Sequence, residues 1–176
     1  MKKIVALGGS NSKNSINKTL ASYAASLVEN SEVEVIDLND YRLPLYGIDE
    51  ETENGIPEDA RKLDALLSSA DGLVISLAEH NGSYSVAFKN VFDWLSRIDK
   101  EVWKQKPMLL MATSPGGRGG VTVLQAAKMS FPYLGGNIIA DFSLPSFHKN
   151  FSENALLDEA LKSDLDGKID LLKEAI

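Results

Sequence analysis

Apolar residues in this chain fall in short continuous runs, separated by longer stretches in which they recur every three or four positions. The runs are Lys3-Ile4-Val5-Ala6-Leu7, Val33-Glu34-Val35-Ile36-Asp37-Leu38, Asp71-Gly72-Leu73-Val74-Ile75-Ser76-Leu77 and Lys106-Pro107-Met108-Leu109-Leu110-Met111-Ala112-Thr113. Runs this short and this apolar read as strands, most of them covered on both faces, and a fifth is expected within residues 137–144. Helical patterns fill residues 17–29, 57–69, 84–98 and 120–134, and a closing helix spans about 153–174. Pro57 suits a first helical turn, and Glu58-Asp59 suit the positive end of its dipole. Strands that alternate with helices need crossover connections, so the fold class is α/β, a three-layer, doubly wound parallel sheet. With no repeat, linker or low-complexity tract, residues 1–176 are expected to form a single domain.

Residues 39–56 are long for a connection. They contain Leu43-Pro44-Leu45-Tyr46 and then Asp49-Glu50-Glu51, and read either as an acidic solvated loop pinned by Leu43, Leu45 and Tyr46 or as a subunit contact or substrate rim.

Composition narrows the chemistry. The chain has no cysteine and only two histidines, His80 and His148, which removes disulfides and thiolate catalysis and leaves no expectation of a metal site. A redox role would need a borrowed cofactor. The net charge of -7 opposes general binding to nucleic acid or to an anionic membrane, so a phosphate would have to be held locally. Met1-Lys2-Lys3-Ile4 superficially resembles a signal peptide, but its apolar stretch of about five residues is shorter than the roughly seven to fifteen such a peptide needs. A cytoplasmic protein with no membrane partner is the expectation.

Three loops that follow strand-like runs carry the candidate chemistry. The first, Gly8-Gly9-Ser10-Asn11-Ser12-Lys13-Asn14-Ser15, leads into a helix opening at Ile16-Asn17. Its hydroxyls and amides, beside a helix N-terminus, are what a phosphate monoester needs, although Ser15 or Asn14 could simply cap the helix. Neither G-x-x-x-x-G-K-[ST] nor G-x-G-x-x-G occurs there, which weighs against nucleoside triphosphate or Rossmann-type dinucleotide binding. The second loop, Ala78-Glu79-His80-Asn81-Gly82-Ser83-Tyr84, offers a glycine at which a planar ring could lie against the main chain, or else a tight turn capped by Ser83. His80 could stack on such a ring, titrate, or stand by. The third loop, Thr113-Ser114-Pro115-Gly116-Gly117-Arg118-Gly119-Gly120, sets four glycines around an arginine able to meet an anionic group or to remain in solvent.

Taken together, Gly9-Ser10 with Ser15-x-Asn17, Asn81-Gly82-Ser83 followed by Lys89-Asn90 and Asp93-Trp94, and Gly116-Gly117-Arg118-Gly119-Gly120 resemble the NADPH-dependent FMN reductase family over nearly the whole chain. The resemblance implies a flavodoxin-like FMN-binding domain whose flavin takes a hydride from NADPH and passes it to a flavin, quinone or similar small acceptor. It implies that Ser10, Ser12, Ser15, Ile16 and Asn17 hold the FMN phosphate, that Glu79, His80, Asn81, Gly82 and Ser83 lie along the isoalloxazine, and that Ser114, Pro115, Gly116, Gly117 and Arg118 close its other side. No side chain is implied as the hydride carrier. A homodimer or homotetramer is also implied, with Phe92 or Trp94 as candidate anchors, although Phe88, Val91, Phe92 and Leu95 equally form a packed helix stripe. Ser12 stands where the family usually has an arginine, His80 where it has a tyrosine, and Ala78 and Ser85 where it has prolines. The rival reading is a flavodoxin-type electron carrier that does not oxidise NADPH directly; a scaffold that has lost flavin is a third.

Overall fold

The computed structural model describes residues 1–176. In chain order the elements are β1 (Lys2–Gly9), α1 (Ile16–Ser26), β2 (Ser31–Ile36), α2 (Ile48–Asn54), α3 (Glu58–Ser69), β3 (Gly72–Leu77), β4 (Glu79–His80), β5 (Ser83–Tyr84) and α4 (Val86–Ile98). They continue with β6 (Pro107–Thr113), α5 (Val121–Ser130), β7 (Asn137–Leu144), α6 (Phe147–Asn150), β8 (Phe151–Ser152), β9 (Ala155–Leu156) and α7 (Glu159–Ala175). Five strands form one parallel sheet in the flavodoxin-like order β2-β1-β3-β6-β7.

Alternate residues of the buried strands feed two separate cores. Ile4, Ala6, Val74, Leu109 and Met111 face Leu20, Ala21 and Ala24 of α1 and Leu165, Ile169 and Leu172 of α7. Val5, Leu7, Leu73, Ile75, Leu77, Met108 and Leu110 face α3, α4 and α5. Each fully buried Leu or Ile contributes about 1.5–3 kcal/mol relative to exposure. That dense packing fixes where the strand ends lie. The chain runs from β1 outward to β2 and then returns to β3 on the other side of β1, so the direction of winding reverses between β1 and β3. The carboxyl edge at such a reversal is where open α/β sheets leave a crevice.

The structure differs from the sequence-based reading in five places. Residues 39–56 are not loop throughout, because Ile48–Asn54 forms α2, with Asp49, Glu50 and Glu51 in its first turn. The strap is pinned through α4: Asn90 accepts from the Tyr46 N–H at 2.8 Å, and Trp94 Nε1 donates to the Pro44 carbonyl at 2.8 Å. Leu45 is not one of its pins, being 74% exposed. Trp94 and Phe92 are buried in the chain's own core, 0% and 7% exposed, and so are unavailable as anchors for a partner. Helix α4 starts at Val86 with Ser85, not Ser83, as its cap. Finally, α7 begins only at Glu159, since residues 147–156 form α6 and the β8–β9 ribbon.

Candidate functional site

The ends of β1, β3 and β6 lie in register, Gly9 beside Leu77 and Leu77 beside Ala112, so the three loops leave the sheet next to one another. Between them opens a cleft of about 410 Å³. Its wall takes Ser10, Ser12, Ser15, Ile16 and Asn17 from the first loop, Glu79 and His80 from the second, and Ser114 and Pro115 from the third. All nine are residues that the sequence pointed to. Asn81, Gly82, Ser83, Gly116, Gly117 and Arg118 are not brought into that wall.

The first loop is a chain of side-chain turns. Ser10 Oγ accepts the Ser12 N–H at 3.1 Å, Ser12 Oγ accepts the Asn14 N–H at 3.3 Å, and the N-cap Ser15 Oγ accepts the Lys18 N–H at 3.0 Å. Each hydroxyl engaged as an acceptor still has its own proton to donate. The N–H groups of Ile16 and Asn17, at the positive end of α1, take no partner within the chain, as is usual for a first helical turn. This end of α1 comes close to the sheet because β1 carries glycine where it passes beneath: a Cβ on Gly8 would collide with the backbone nitrogen and Cα of Lys18. Lys18 in turn pairs with Asp37 at the end of β2. The ammonium of Lys18, with the Asn39 amide behind it, holds the Asp37 carboxyl below the usual aspartate range.

Asn17 is not a free side chain. Buried to 2% exposure, its Nδ2 donates to the Thr113 carbonyl at 3.1 Å, while Oδ1 accepts the Thr113 N–H at 3.0 Å and Ser76 Oγ at 2.7 Å. The carboxamide therefore bolts the first loop to β3 and β6, and only the backbone N–H of this residue faces the cleft.

Glu79 is likewise committed: its Oε2 accepts the N–H groups of Thr122 and Val123 at 2.9 and 3.1 Å, and so caps α5 from outside the helix. The middle loop itself is a hairpin. β4 pairs with β5, and Asn81 and Gly82, with φ of 51° and 73°, form its two-residue turn, for which Asn-Gly is the favoured pair. Ser85 then ties the hairpin's foot to the first loop by donating to the Gly9 carbonyl at 2.7 Å. His80 stands exposed at the cleft's edge.

In the third loop the glycines divide. A Cβ on Gly119 would come within 2.9 Å of the Leu144 carbonyl carbon, and one on Gly120 within 2.9 Å of Ala112 Cβ. Gly117 has nothing within 4 Å of such an atom, and Gly116 only Ser114 Oγ at 4.0 Å, so the chain's own packing explains the first two glycines and not the second two. Arg118 is exposed and donates to Thr122 Oγ1 at 3.1 Å.

The cleft also holds residues that the sequence reading did not select: Asn14, Ala78, Thr113 and His148. His148 comes from α6, which is tied to the third loop where Phe147 N–H donates to the Ser114 carbonyl at 3.0 Å. No motif marks it; the signal on offer was that it is one of only two histidines.

The model of the family described as NADPH-dependent FMN reductase matches residues 2–149, which include every loop around the cleft. The chain belongs to the NADPH-dependent FMN reductase family. It is 33% identical over 137 residues to the NADPH azoreductase of Bacillus sp. (strain OY1-2), covering 78% of this chain and 72% of that one. It is 33% identical over 152 residues to the quinone reductase of Escherichia coli (strain K12), covering 78% of each. Its fold matches that of the flavoenzyme NAD(P)H:(acceptor) oxidoreductase of Paracoccus denitrificans with a TM-score of 0.75 at 24% identity, covering 99% of both chains. For a member of the NADPH-dependent FMN reductase family, the residues present fit FMN. Hydroxyl protons and free helix N–H groups gather at one end of the cleft, and a hairpin and an open glycine pair border it elsewhere.

Proposed function

We propose that this protein is an FMN-dependent NAD(P)H oxidoreductase that passes a hydride from NADPH to flavin and then to a flavin, a quinone or a similar small acceptor. The observation that carries the reading is the cleft at the winding reversal, walled by three loops within the span matched by the family model. Bound FMN would supply the hydride acceptor and donor that no side chain provides. The protein's part is to bind and orient.

In this reading the hydroxyls of Ser10, Ser12 and Ser15 and the backbone N–H groups of Ile16 and Asn17 hold the phosphate, using the α1 dipole in place of a fixed cation. The main chain from Glu79 to Ser83 runs along the ring, with His80 against its edge. Ser114, Pro115 and the Gly116-Gly117-Arg118 rim border the other side, where the absent side chains of the two glycines leave room for a flat partner. A cleft this open admits acceptors of several shapes, in keeping with azoreductase and quinone reductase relatives.

Steady-state NADPH oxidation with a quinone acceptor, with and without added FMN, tests the reading. Turnover that depends on flavin is expected. An electron carrier that accepts only from proteins would show none.

A further inference from the structure

We infer that His148 is the cationic group that binds the phosphate end of the flavin, so that this chain recognises FMN over riboflavin through a histidine on α6. The inference rests on the cofactor reading above and extends it to a residue outside the three loops. No lysine or arginine lines the cleft; the side chains there able to carry positive charge are His80 and His148. The single acidic side chain in the wall, Glu79, is spent on the N-terminus of α5. Both histidines of the chain thus face one ligand space, and their positions divide the work between them.

His148 lies on the α1 side. Its neighbour Phe147 is buried in the same core as Leu20 and Ala21 of α1, against which Ile16 also packs, and Phe151, one helical turn on, meets Tyr23 of α1 edge-on at 5.3 Å. Phe147 and Phe151 stack on each other at 4.9 Å. The imidazole makes no hydrogen bond within the chain and meets the Phe147 ring at 5.4 Å, so its polar edge is available to a ligand. His80, by contrast, sits on the hairpin and also borders a second groove with Leu45, Val86 and Asn90, away from α1. Charged groups on the surrounding elements are Lys149 on α6, Lys13 in the first loop, Lys18 paired with Asp37, Arg118 bound to Thr122, and Glu153 in the β8–β9 turn; none of them lines the cleft.

The chemistry required is a group that rewards a phosphate and is indifferent to its absence. A hydrogen bond between charged partners is worth about 1.5–3 kcal/mol, which is roughly tenfold or more in affinity. Riboflavin, which carries the same ring and ribityl chain without the phosphate, makes no such contact.

The experiment is a fluorescence titration of the protein with FMN and with riboflavin, for the parent, His148→Ala, His148→Arg and His80→Ala, with thermal melts to establish that each variant is folded. Expected is a roughly tenfold weaker Kd for FMN in His148→Ala with riboflavin unchanged, recovery in His148→Arg, and an unchanged FMN-to-riboflavin ratio in His80→Ala. A folded His148→Ala variant with the parent's FMN-to-riboflavin ratio would overturn the inference while leaving the cofactor site intact. Failure of the parent to bind either flavin would instead overturn the cofactor reading on which it stands.

Discussion

The floor of the cleft and its rim are built on opposite terms. On the floor every polar side chain has a partner inside the protein: Ser15 caps α1, Asn17 joins three strands' ends, Glu79 caps α5, and Ser85 holds the Gly9 carbonyl. On the rim, His80, Gly116, Gly117, Arg118 and His148 are exposed or nearly free of internal contacts. Residues of the same chemical types, a few positions apart, therefore serve stability in one place and ligand in the other. Rigid strand ends can present donors at fixed positions only if something bolts them together, whereas a rim that admits flat partners must leave space unfilled.

The contrast is sharpest for two glycines. Gly8→Ala should cost about 3 kcal/mol or more, because the helix backbone it would strike has no room to move. Gly117→Ala, in open space, should leave stability within about 0.5 kcal/mol of the parent. Urea denaturation of both variants would break the comparison if their costs came out alike.

Next in size is Asn17→Ala. It strands the Thr113 N–H and the Ser76 hydroxyl in a buried setting, for an expected loss of about 2–3 kcal/mol. In a protein of this length that corresponds to a fall of roughly 5–10 °C in Tm. His80→Ala should leave Tm unmoved. A melt in which Asn17→Ala matched the parent would mean that the floor is not bolted as described.

These two variants also mark what the sequence made legible. The strands were readable because a run covered by helices on both sides must be continuously apolar, and the range 137–144 coincides with β7. The loops were readable from glycine and hydroxyl density. The commitment of Asn17 was not, since its partners lie 59 and 96 residues away and nothing local distinguishes a bolt from a ligand contact. The hairpin was signalled by Asn81-Gly82 but hidden by strands of only two residues each. Helix α2 was masked by its acidic composition, and the role of α6 by its four-residue length.

A smaller effect tests the ion pair that braces α1 against β2. The folded-state pKa of Asp37 lies below its unfolded value, so its contribution is present above the ordinary aspartate pKa and is lost as pH falls through the folded-state value. Both side chains are about a quarter exposed, at 27% and 29%, and solvent screening limits the pair to about 1 kcal/mol. Asp37→Asn should therefore be slightly less stable than the parent at neutral pH, and the difference should shrink below about pH 4. A gap that stayed constant down to pH 2 would remove Lys18–Asp37 from the brace.

Smallest in stability and largest in function is the rim. Gly117→Ala, with a parent-like melt, should raise KM for NADPH or for the acceptor by a few fold, since the space that it fills serves partners outside the chain. Unchanged kinetics would leave that glycine without a role at the cleft.

The account as a whole turns on one spectrum. The purified protein would be incubated with FMN, stripped of free flavin and treated anaerobically with NADPH while the visible flavin band is followed. Retained flavin that bleaches promptly is the predicted result. Retained flavin that stays oxidised would contradict a nicotinamide-dependent reductase, and loss of all flavin on stripping would contradict a cleft floor built to hold it.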